Sequence, residues 1–266
     1  MPTNPAKIMP ALLNNIKRKV DIVHVLIVLS FVLWVYMFRG FIFDKLTLSG
    51  DALPYYDHFK FYIDHLMKGI YPMWNPIISG GIPNEFFLRR IGSFNPFYSI
   101  IILFRWLGLP FVLSYLFFLA IYYWIGMIGF YLLSLRIFKD RICAFMAYLL
   151  LMFSSMSTVL FSSFLILSVV PIIWFFYFLL SFSEKPERWS FLGMIFTLMI
   201  IVTTYLPFYF LHNFILFLIC FIIFYPSRFL NFVKKTLVFF GHYKLFSASF
   251  LMCLCFALVA GGMFFK

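Results

Sequence analysis

Residues 110–135 read PFVLSYLFFLAIYYWIGMIGFYLLSL and contain no charged side chain. A helix needs about 20 apolar residues to cross the hydrocarbon core of a bilayer, so this stretch predicts a transmembrane helix. The whole chain has the same character, because 64% of its 266 residues are hydrophobic and only 11% are charged. Soluble domains carry about 25% charged residues, and a much lower fraction does not cover a water-facing surface. The composition therefore excludes a soluble enzyme.

Further uncharged stretches bring the predicted number of spans to about seven. Residues 22–38 follow a basic cluster at 17–19, are longer than a signal-peptide core and precede no small-residue cleavage site, so they predict a retained anchor. The other predicted spans are a hairpin within 141–184 that turns near 154–163, a hairpin within 189–227 that turns near 207–213, and a last helix over 245–264. The predicted fold class is all-α, a polytopic transmembrane helical protein.

The basic residues predict the orientation of these spans. The chain has 21 Lys and Arg against 9 Asp and Glu, and short loops rich in Lys and Arg remain cytoplasmic. Because the cations cluster between apolar stretches, they indicate topology in the cell membrane and no nucleic-acid partner. The predicted order is a cytoplasmic N-terminus (1–21), a first transmembrane helix (22–43), an extracytoplasmic loop (44–109) and six further transmembrane helices (110–266).

The long outer loop is predicted to contain in-plane amphipathic helices. Residues 53–68 place Tyr, Phe, Ile, Leu and Met side chains on one helical face and alternating Asp and Lys on the other. This pattern suits a helix lying along a membrane surface, and Gly69 is placed to end it. Residues 93–106 are apolar but short, and they predict an interfacial or re-entrant helix that returns the chain to the membrane.

The acidic residues of this loop divide into two kinds. Asp57 and Asp64 each have a Lys at helical spacing, which predicts structural ion pairs. Asp51 has no basic residue within four positions, so it is either a helix N-cap or a functional carboxylate. Arg89 and Arg90 are adjacent, which suits either a phosphate ligand or anchoring to lipid headgroups.

The sequence gives little support for a metal site. His58 and His65 share a helical face, but their spacing matches no specific metal motif, so interfacial polar residues are the favoured interpretation. All four cysteines, Cys143, Cys220, Cys253 and Cys255, lie in apolar stretches, where we expect them to pack as small hydrophobic residues. No metal ligand is predicted, and the residues identify no cofactor.

The loop also resembles a known family. Residues 50–97 read GDALPYYDHFKFYIDHLMKGIYPMWNPIISGGIPNEFFLRRIGSFNPF, and their order of Gly-Asp, Trp-Asn-Pro, Gly-Gly-x-Pro and Gly-Ser-Phe-Asn-Pro-Phe resembles the first extracytoplasmic loop of bacterial YfhO-like membrane proteins. That family is related to the GT-C fold of glycosyltransferases, which use polyprenyl-phosphate-linked sugars and keep an acidic residue in this loop. The resemblance implies a catalytic role for Asp51 and substrate contacts from Arg89, Arg90, Trp74 and Asn75.

The expected function is therefore that of the N-terminal part of a GT-C-related membrane glycosyltransferase acting on cell-envelope glycans. Members of the family are longer, so we expect a partner membrane subunit or a missing C-terminal part, besides membrane lipid and the sugar donor. Two alternatives remain: a non-catalytic component of envelope polymer assembly or export, and a lipid or solute transporter. The spans carry no mid-membrane acids, which disfavours an ion-coupled transporter.

Overall fold

Helices make up most of the computed structural model, which describes residues 22–37, 39, 52–76, 80–155, 165–204 and 207–242. Asp51 and the predicted last span, 245–264, lie outside these residues. The elements in chain order are α1 (Ile22–Met37), α2 (Ala52–Leu66), β1 (Trp74–Asn75), β2 (Ile82–Pro83), α3 (Glu85–Ile91), a 3-10 turn (Pro96–Tyr98), α4 (Ser99–Trp106), α5 (Phe111–Phe138), α6 (Arg141–Met152), α7 (Leu165–Glu184), α8 (Arg188–Thr203), α9 (Pro207–Phe224) and α10 (Pro226–His242).

Among the described residues, two helices, α5 and α7, are long and apolar enough to cross a membrane, and the bent pair α9 and α10 gives a third if counted as one span. Helix α6 has 12 residues, which corresponds to about 18 Å, well short of the roughly 30 Å of a hydrocarbon core. The structure thus shows a mostly helical protein with two or three helices apolar enough to span a membrane, and the predicted number of seven spans is not confirmed.

The residues expected to form the turn of the second predicted hairpin are helical instead. Residues 207–213, read as its turn, are the first residues of α9. Proline is tolerated in the first turn of a helix, where its missing N–H has no intrahelical acceptor. Pro207 therefore begins the helix, and His212 lies within it instead of in an outer turn.

Specific side-chain contacts join α1 to α5 and α6. The buried indole of Trp34 in α1 stacks 4.7 Å from the ring of Tyr123 in α5. The hydroxyls of Ser30 in α1 and Tyr148 in α6 lie 3.0 Å apart. In the first contact two aromatic rings lie between the helices, and in the second two hydroxyl groups do. The outward faces of α1 and α6 are apolar. The bundle is thus held by specific side-chain pairs as well as by apolar packing.

Helices α5 and α7 approach closely at two glycines of α5. A Cβ atom at Gly126 would lie 2.6 Å from Cγ2 of Val170, and one at Gly129 would lie 2.7 Å from Nε1 of Trp174. The same Trp174 nitrogen donates a hydrogen bond to the carbonyl of Ile125 at 3.0 Å. Glycine is therefore required where the indole lies against the backbone of α5.

The outer loop and the basic clusters lie at opposite ends of α5. Tyr56 of α2 packs on Phe111 at the first residue of α5, with ring centroids 5.2 Å apart. At the last turn of α5, Arg136 forms an ion pair with Glu184 at the end of α7. Lys235 of α10 donates to the carbonyl of Ser183 at 3.2 Å. The described basic clusters at the end of α5 and in α10 therefore meet at the end of α7, and we call this end of the molecule the inner end.

A candidate active site in the outer unit

The outer unit consists of the described residues from 52 to 106. Its helix α2 forms where the sequence predicted it, but the apolar face is covered by protein. The buried side chains of that face, with exposures of 0% to 4%, are Tyr55, Phe59, Tyr62 and Ile63. The ring of Phe59 lies 4.9 Å from Tyr98 and 5.3 Å from Tyr115 of α5. The expected contact of this face with lipid is therefore replaced by packing on α5.

The chain after α2 turns sharply into a short β-ribbon. Gly69 has a φ of +72° and follows the helix, as predicted. Strands β1 and β2 are antiparallel, with Trp74 opposite Pro83 and Asn75 opposite Ile82. A Cβ atom at Gly81, where φ is +113°, would lie 2.7 Å from the Trp74 ring. The Trp-Asn and Gly-Gly elements of the sequence thus belong to one turn, in which glycine makes room for the indole.

Buried polar side chains hold the rest of the outer unit in place. The amide of Asn84 donates to the carbonyl of Pro72 at 2.8 Å. The Tyr62 hydroxyl donates to the carbonyl of Ser93 at 2.5 Å, and Asn95 donates to the Tyr122 hydroxyl of α5 at 3.2 Å. Burial raises the pKa of Tyr62 well above its ordinary value, so its hydroxyl stays protonated even at the alkaline pH where an exposed tyrosine ionises.

Arg90 lies where α3 packs on α2. Its guanidinium carbon is 4.8 Å from the ring centroid of Phe86 and 5.7 Å from that of Tyr55. The His58 ring packs on Phe87 with centroids 3.9 Å apart. Burial and the nearby charge of Arg90 lower the pKa of His58, against the opposing effect of Asp57. The structure therefore gathers Arg90, His58 and Asp57 on one face, a grouping that sequence reasoning missed because it depends on packing between two helices.

Arg89 has a different partner from its neighbour. It forms an ion pair with Glu85, one helical turn earlier in α3. A carboxylate already beside this guanidinium lowers its attraction for a phosphate. The two adjacent arginines therefore have different surroundings, because Arg89 lies beside a carboxylate and Arg90 lies against aromatic rings of α2 and α3.

The remaining predicted site residues are placed unequally. Trp74 is 55% exposed and accessible to a ligand, whereas Asn75 is 3% exposed within the ribbon. Asp51 lies outside the described residues; the first residue of α2, Ala52, follows it directly in the chain. The N-cap and catalytic interpretations of Asp51 both stay predictions.

The predicted ion pairs are half correct. Lys60 Nζ lies 3.6 Å from an Asp64 carboxylate oxygen, as expected for residues four apart on a helix. Asp57 belongs to none of the ion pairs formed among the described residues. The prediction of a lysine partner for Asp57 was wrong, because Lys60 pairs with Asp64 on the following turn.

Metal-ligating residues do not gather in the part of the chain that the structure describes. It contains no group of three or more His, Cys, Asp or Glu side chains placed to hold a metal ion. His65 contacts the carbonyl of Phe61 through Nδ1 at 2.7 Å. Cys143 and Cys220 are exposed instead of packed, which corrects the expectation from their apolar surroundings.

An apolar groove begins beside the outer unit and runs between α5, α7 and α8. Its volume is about 470 Å³. Phe97 of the outer unit and Tyr122 of α5 line one end, Trp174 lies along it, and Trp189 at the start of α8 lines the other end. The groove therefore extends from the outer unit toward the inner end, with walls suited to a hydrocarbon chain.

Comparisons with known proteins add no relative to this picture. No family model matches the chain, and neither a curated protein nor a solved structure matches it.

Proposed function

We propose that this chain carries the outer-loop site of a GT-C-related membrane glycosyltransferase, which uses a polyprenyl-phosphate-linked sugar to modify cell-envelope glycans. The observation that carries the proposal is the position of Arg90. Its cation lies against the aromatic side chains of Tyr55 and Phe86, on the helix pair that begins one residue after Asp51. Sugar transfer from a lipid phosphate requires a carboxylate that accepts a proton and a cation that stabilises the departing phosphate.

In this proposal Asp51 and Arg90 divide the chemistry. The Asp51 carboxylate accepts the proton of the acceptor hydroxyl as that oxygen attacks the anomeric carbon of the sugar. The bond from the anomeric carbon to the phosphate oxygen breaks, and Arg90 stabilises the negative charge on the departing polyprenyl phosphate. The exposed Trp74 indole offers a flat surface on which a sugar ring stacks.

The apolar groove between α5, α7 and α8 suits the polyprenyl tail better than the aromatic face of α2 does. That face is buried against α5 and is not accessible to a lipid. The apolar groove between α5, α7 and α8 starts at Phe97 and follows the membrane-spanning helices. A tail that enters this groove at the Phe97 end would keep the phosphate near the outer unit.

The test replaces three acids of one loop with their amides. We expect Asp51→Asn to lower sugar transfer by roughly 100-fold or more, because the amide keeps the shape and much of the capping ability of the side chain but accepts no proton. Asp64→Asn is the matched control, because its carboxylate pairs with Lys60, and it should retain most activity. Asp57→Asn, which changes the acid beside His58, should lose less activity than Asp51→Asn. Transfer from a labelled polyprenyl-phosphate sugar is measured in membranes of the native host in which each variant replaces the chromosomal copy.

The two arginines give a second contrast in the same assay. Arg90→Gln should lower transfer more than Arg89→Gln, because Arg89 already pairs with Glu85. Insertion into the membrane is measured for every variant. Full transfer by Asp51→Asn, or an equal loss in all three Asn variants, would overturn the catalytic assignment.

A non-catalytic component of envelope polymer assembly or export is the second candidate. It is favoured by the hydrogen bonds of Asn84, Ser93 and Asn95, which explain much of the loop motif through structure alone. In that case Asp51→Asn leaves polymer synthesis intact, whereas disruption of the outer unit, for example by Asn95→Leu, prevents export. Synthesis and export measured separately in the same strains distinguish the two functions.

A further inference from the structure

A second pocket lies at the inner end, far from the outer unit. It has a volume of about 410 Å³ and is bounded by α7, α9 and α10. Its walls are apolar and include Leu179, Phe217 and Phe221, while Ser183, Arg228, Asn231 and Lys235 supply its polar side. We propose that this pocket binds an anionic phospholipid, with the phosphate near Arg228 and Lys235 and an acyl chain against the apolar walls.

The first argument is the position of the pocket at a membrane surface. Helix α9 is apolar, and α10 departs from it at an angle of 114°. The chain of α10 therefore runs across the end of the bundle. Its apolar side chains Leu230, Leu237 and Val238 are 60% to 72% exposed, and a basic helix with exposed apolar residues lies along a bilayer interface.

Packing fixes α10 in this position. The ring of Phe239 lies 5.2 Å from Phe182 in α7 and 5.3 Å from Phe191 in α8. Lys235 Nζ is within 3.2 Å of the Ser183 carbonyl and 3.4 Å of the Glu184 carbonyl. The exposed ammonium group of Lys235 is therefore positioned at the pocket by the carbonyl groups at the end of α7.

The charge of the pocket is complementary to a phosphate. Arg228 and Lys235 are seven residues apart on one helix, which places them on the same face about 10 Å apart along its axis. Among the described residues neither forms an ion pair with a carboxylate, and the nearby Glu184 is paired with Arg136. The pocket thus presents two cations, with one carboxylate close by that is already neutralised.

The combination of features selects one class of ligand. A neutral lipid makes no use of the two cations, and free phosphate makes no use of the apolar walls. An anionic phospholipid uses both. The basic clusters at this end predict that it faces the cytoplasm, where the membrane leaflet is rich in anionic lipids. The proposal does not depend on the reaction assigned to the outer unit.

The experiment compares neighbouring lysines. The purified full chain is placed in nanodiscs that contain phosphatidylcholine with a small fraction of phosphatidylglycerol, and retained phosphatidylglycerol is measured by native mass spectrometry. We expect Lys235→Gln alone to lower the apparent affinity by about fivefold, and Arg228→Gln with Lys235→Gln to lower it by at least about tenfold, from one and two interfacial charges. Lys234→Gln is the matched control, since Lys234 is exposed on the same helix but does not line the pocket; it should change affinity less than about twofold.

Two further measurements keep the result interpretable. Lys235→Arg should retain binding if the charge is required, and Phe217→Trp should weaken binding by filling the apolar wall, which an effect of charge alone would not produce. Equal losses in the Lys234 and Lys235 variants would overturn the proposal and indicate a non-specific basic surface. Competition by inorganic phosphate as strong as that by the lipid would also overturn it and indicate a plain anion site.

Discussion

Helices α2 and α10 lie at opposite ends of the molecule, and each combines apolar and charged side chains. Helix α2 buries Tyr55, Phe59, Tyr62 and Ile63 in protein, with exposures of 0% to 4%. Helix α10 buries Phe239 but exposes Leu230, Leu237 and Val238. The difference lies in what covers each helix: α2 lies against the aromatic side chains of α5, while α10 packs through Phe239 on α7 and α8 and leaves its other apolar side chains exposed.

The comparison shows that an amphipathic pattern reports an apolar face but not what that face contacts. Protein and lipid are both acceptable surroundings for the same side chains. The polar residues separate the two cases better. At the buried face of α2 they are hydroxyl groups with internal hydrogen bonds, as in Tyr62 to Ser93. On α10 the cations Arg228 and Lys235 line an apolar pocket.

The most decisive test concerns the sides of the membrane on which the two helices lie. We expect a reporter that is active only in the cytoplasm to work when fused after Lys139, Lys185 or Lys235 and to fail when fused after Asp64, because basic loops remain cytoplasmic. The readout is all or none. A strong cytoplasmic signal after Asp64 would place both helices on one side and remove the contrast.

The next largest effect is on stability. Phe59→Ala should lower the free energy of unfolding by about 3 to 5 kcal/mol, because it leaves a cavity between Tyr98 and Tyr115. Val238→Ala on α10 should cost less than about 1 kcal/mol, since lipid fills the space that protein does not. Unfolding of the full chain in bicelles measures both. Equal costs would mean that the two faces have the same surroundings.

A smaller effect is expected from pH at the outer unit. Because burial and Arg90 lower the pKa of His58, the folded state favours the neutral ring. The corresponding stability is present above pH 6.5, the ordinary value, and is lost as the pH falls below it. His58→Gln should remove this pH dependence, and His65→Gln on the same helix should preserve it. Unfolding measured between pH 7.5 and about 5 checks the difference, and a dependence that survives in His58→Gln would contradict it.

The smallest expected effect is that of the surface ion pair on α2. Asp64→Asn should cost about 0.3 to 0.5 kcal/mol through loss of the contact with Lys60. Asp57→Asn should cost less, as Asp57 takes part in no ion pair among the described residues. The same unfolding measurement at low and high salt tests this, because salt should reduce only the Asp64 effect. A larger loss in Asp57→Asn would indicate that the acid supports the α2 to α3 contact.

Local features of the fold were predictable from sequence. The spacing of α2, its end before Gly69 and the pair of Lys60 with Asp64 all depend on residues within one or two helical turns. The burial of its aromatic face was not predictable, since it depends on how α5 packs. The position of Arg90 beside Tyr55 and Phe86 likewise requires two helices that are distant in sequence to meet.

Two errors of interpretation had readable signals. Pro207 was taken as a turn residue, although proline also favours the first turn of a helix. Residues 228–244 form one of the basic clusters between the predicted spans, and this cluster was interpreted only as a signal of orientation. Phe229, Phe232 and Phe240 recur at helical spacing through that cluster, with Lys234 and Lys235 on another face, and this pattern predicts the amphipathic helix that the structure contains.

The glycine contact between α5 and α7 has a consequence for membrane insertion. In lipid, apolar surfaces gain little by leaving hydrocarbon for one another, so helices associate through close packing and interhelical hydrogen bonds. Gly126 and Gly129 permit the approach, and Trp174 supplies a hydrogen bond to the Ile125 carbonyl. Among the described residues, these two are also single helices long and apolar enough to cross a membrane. We therefore expect them to associate first during assembly, and the shorter α6 and α8 to join the bundle afterwards.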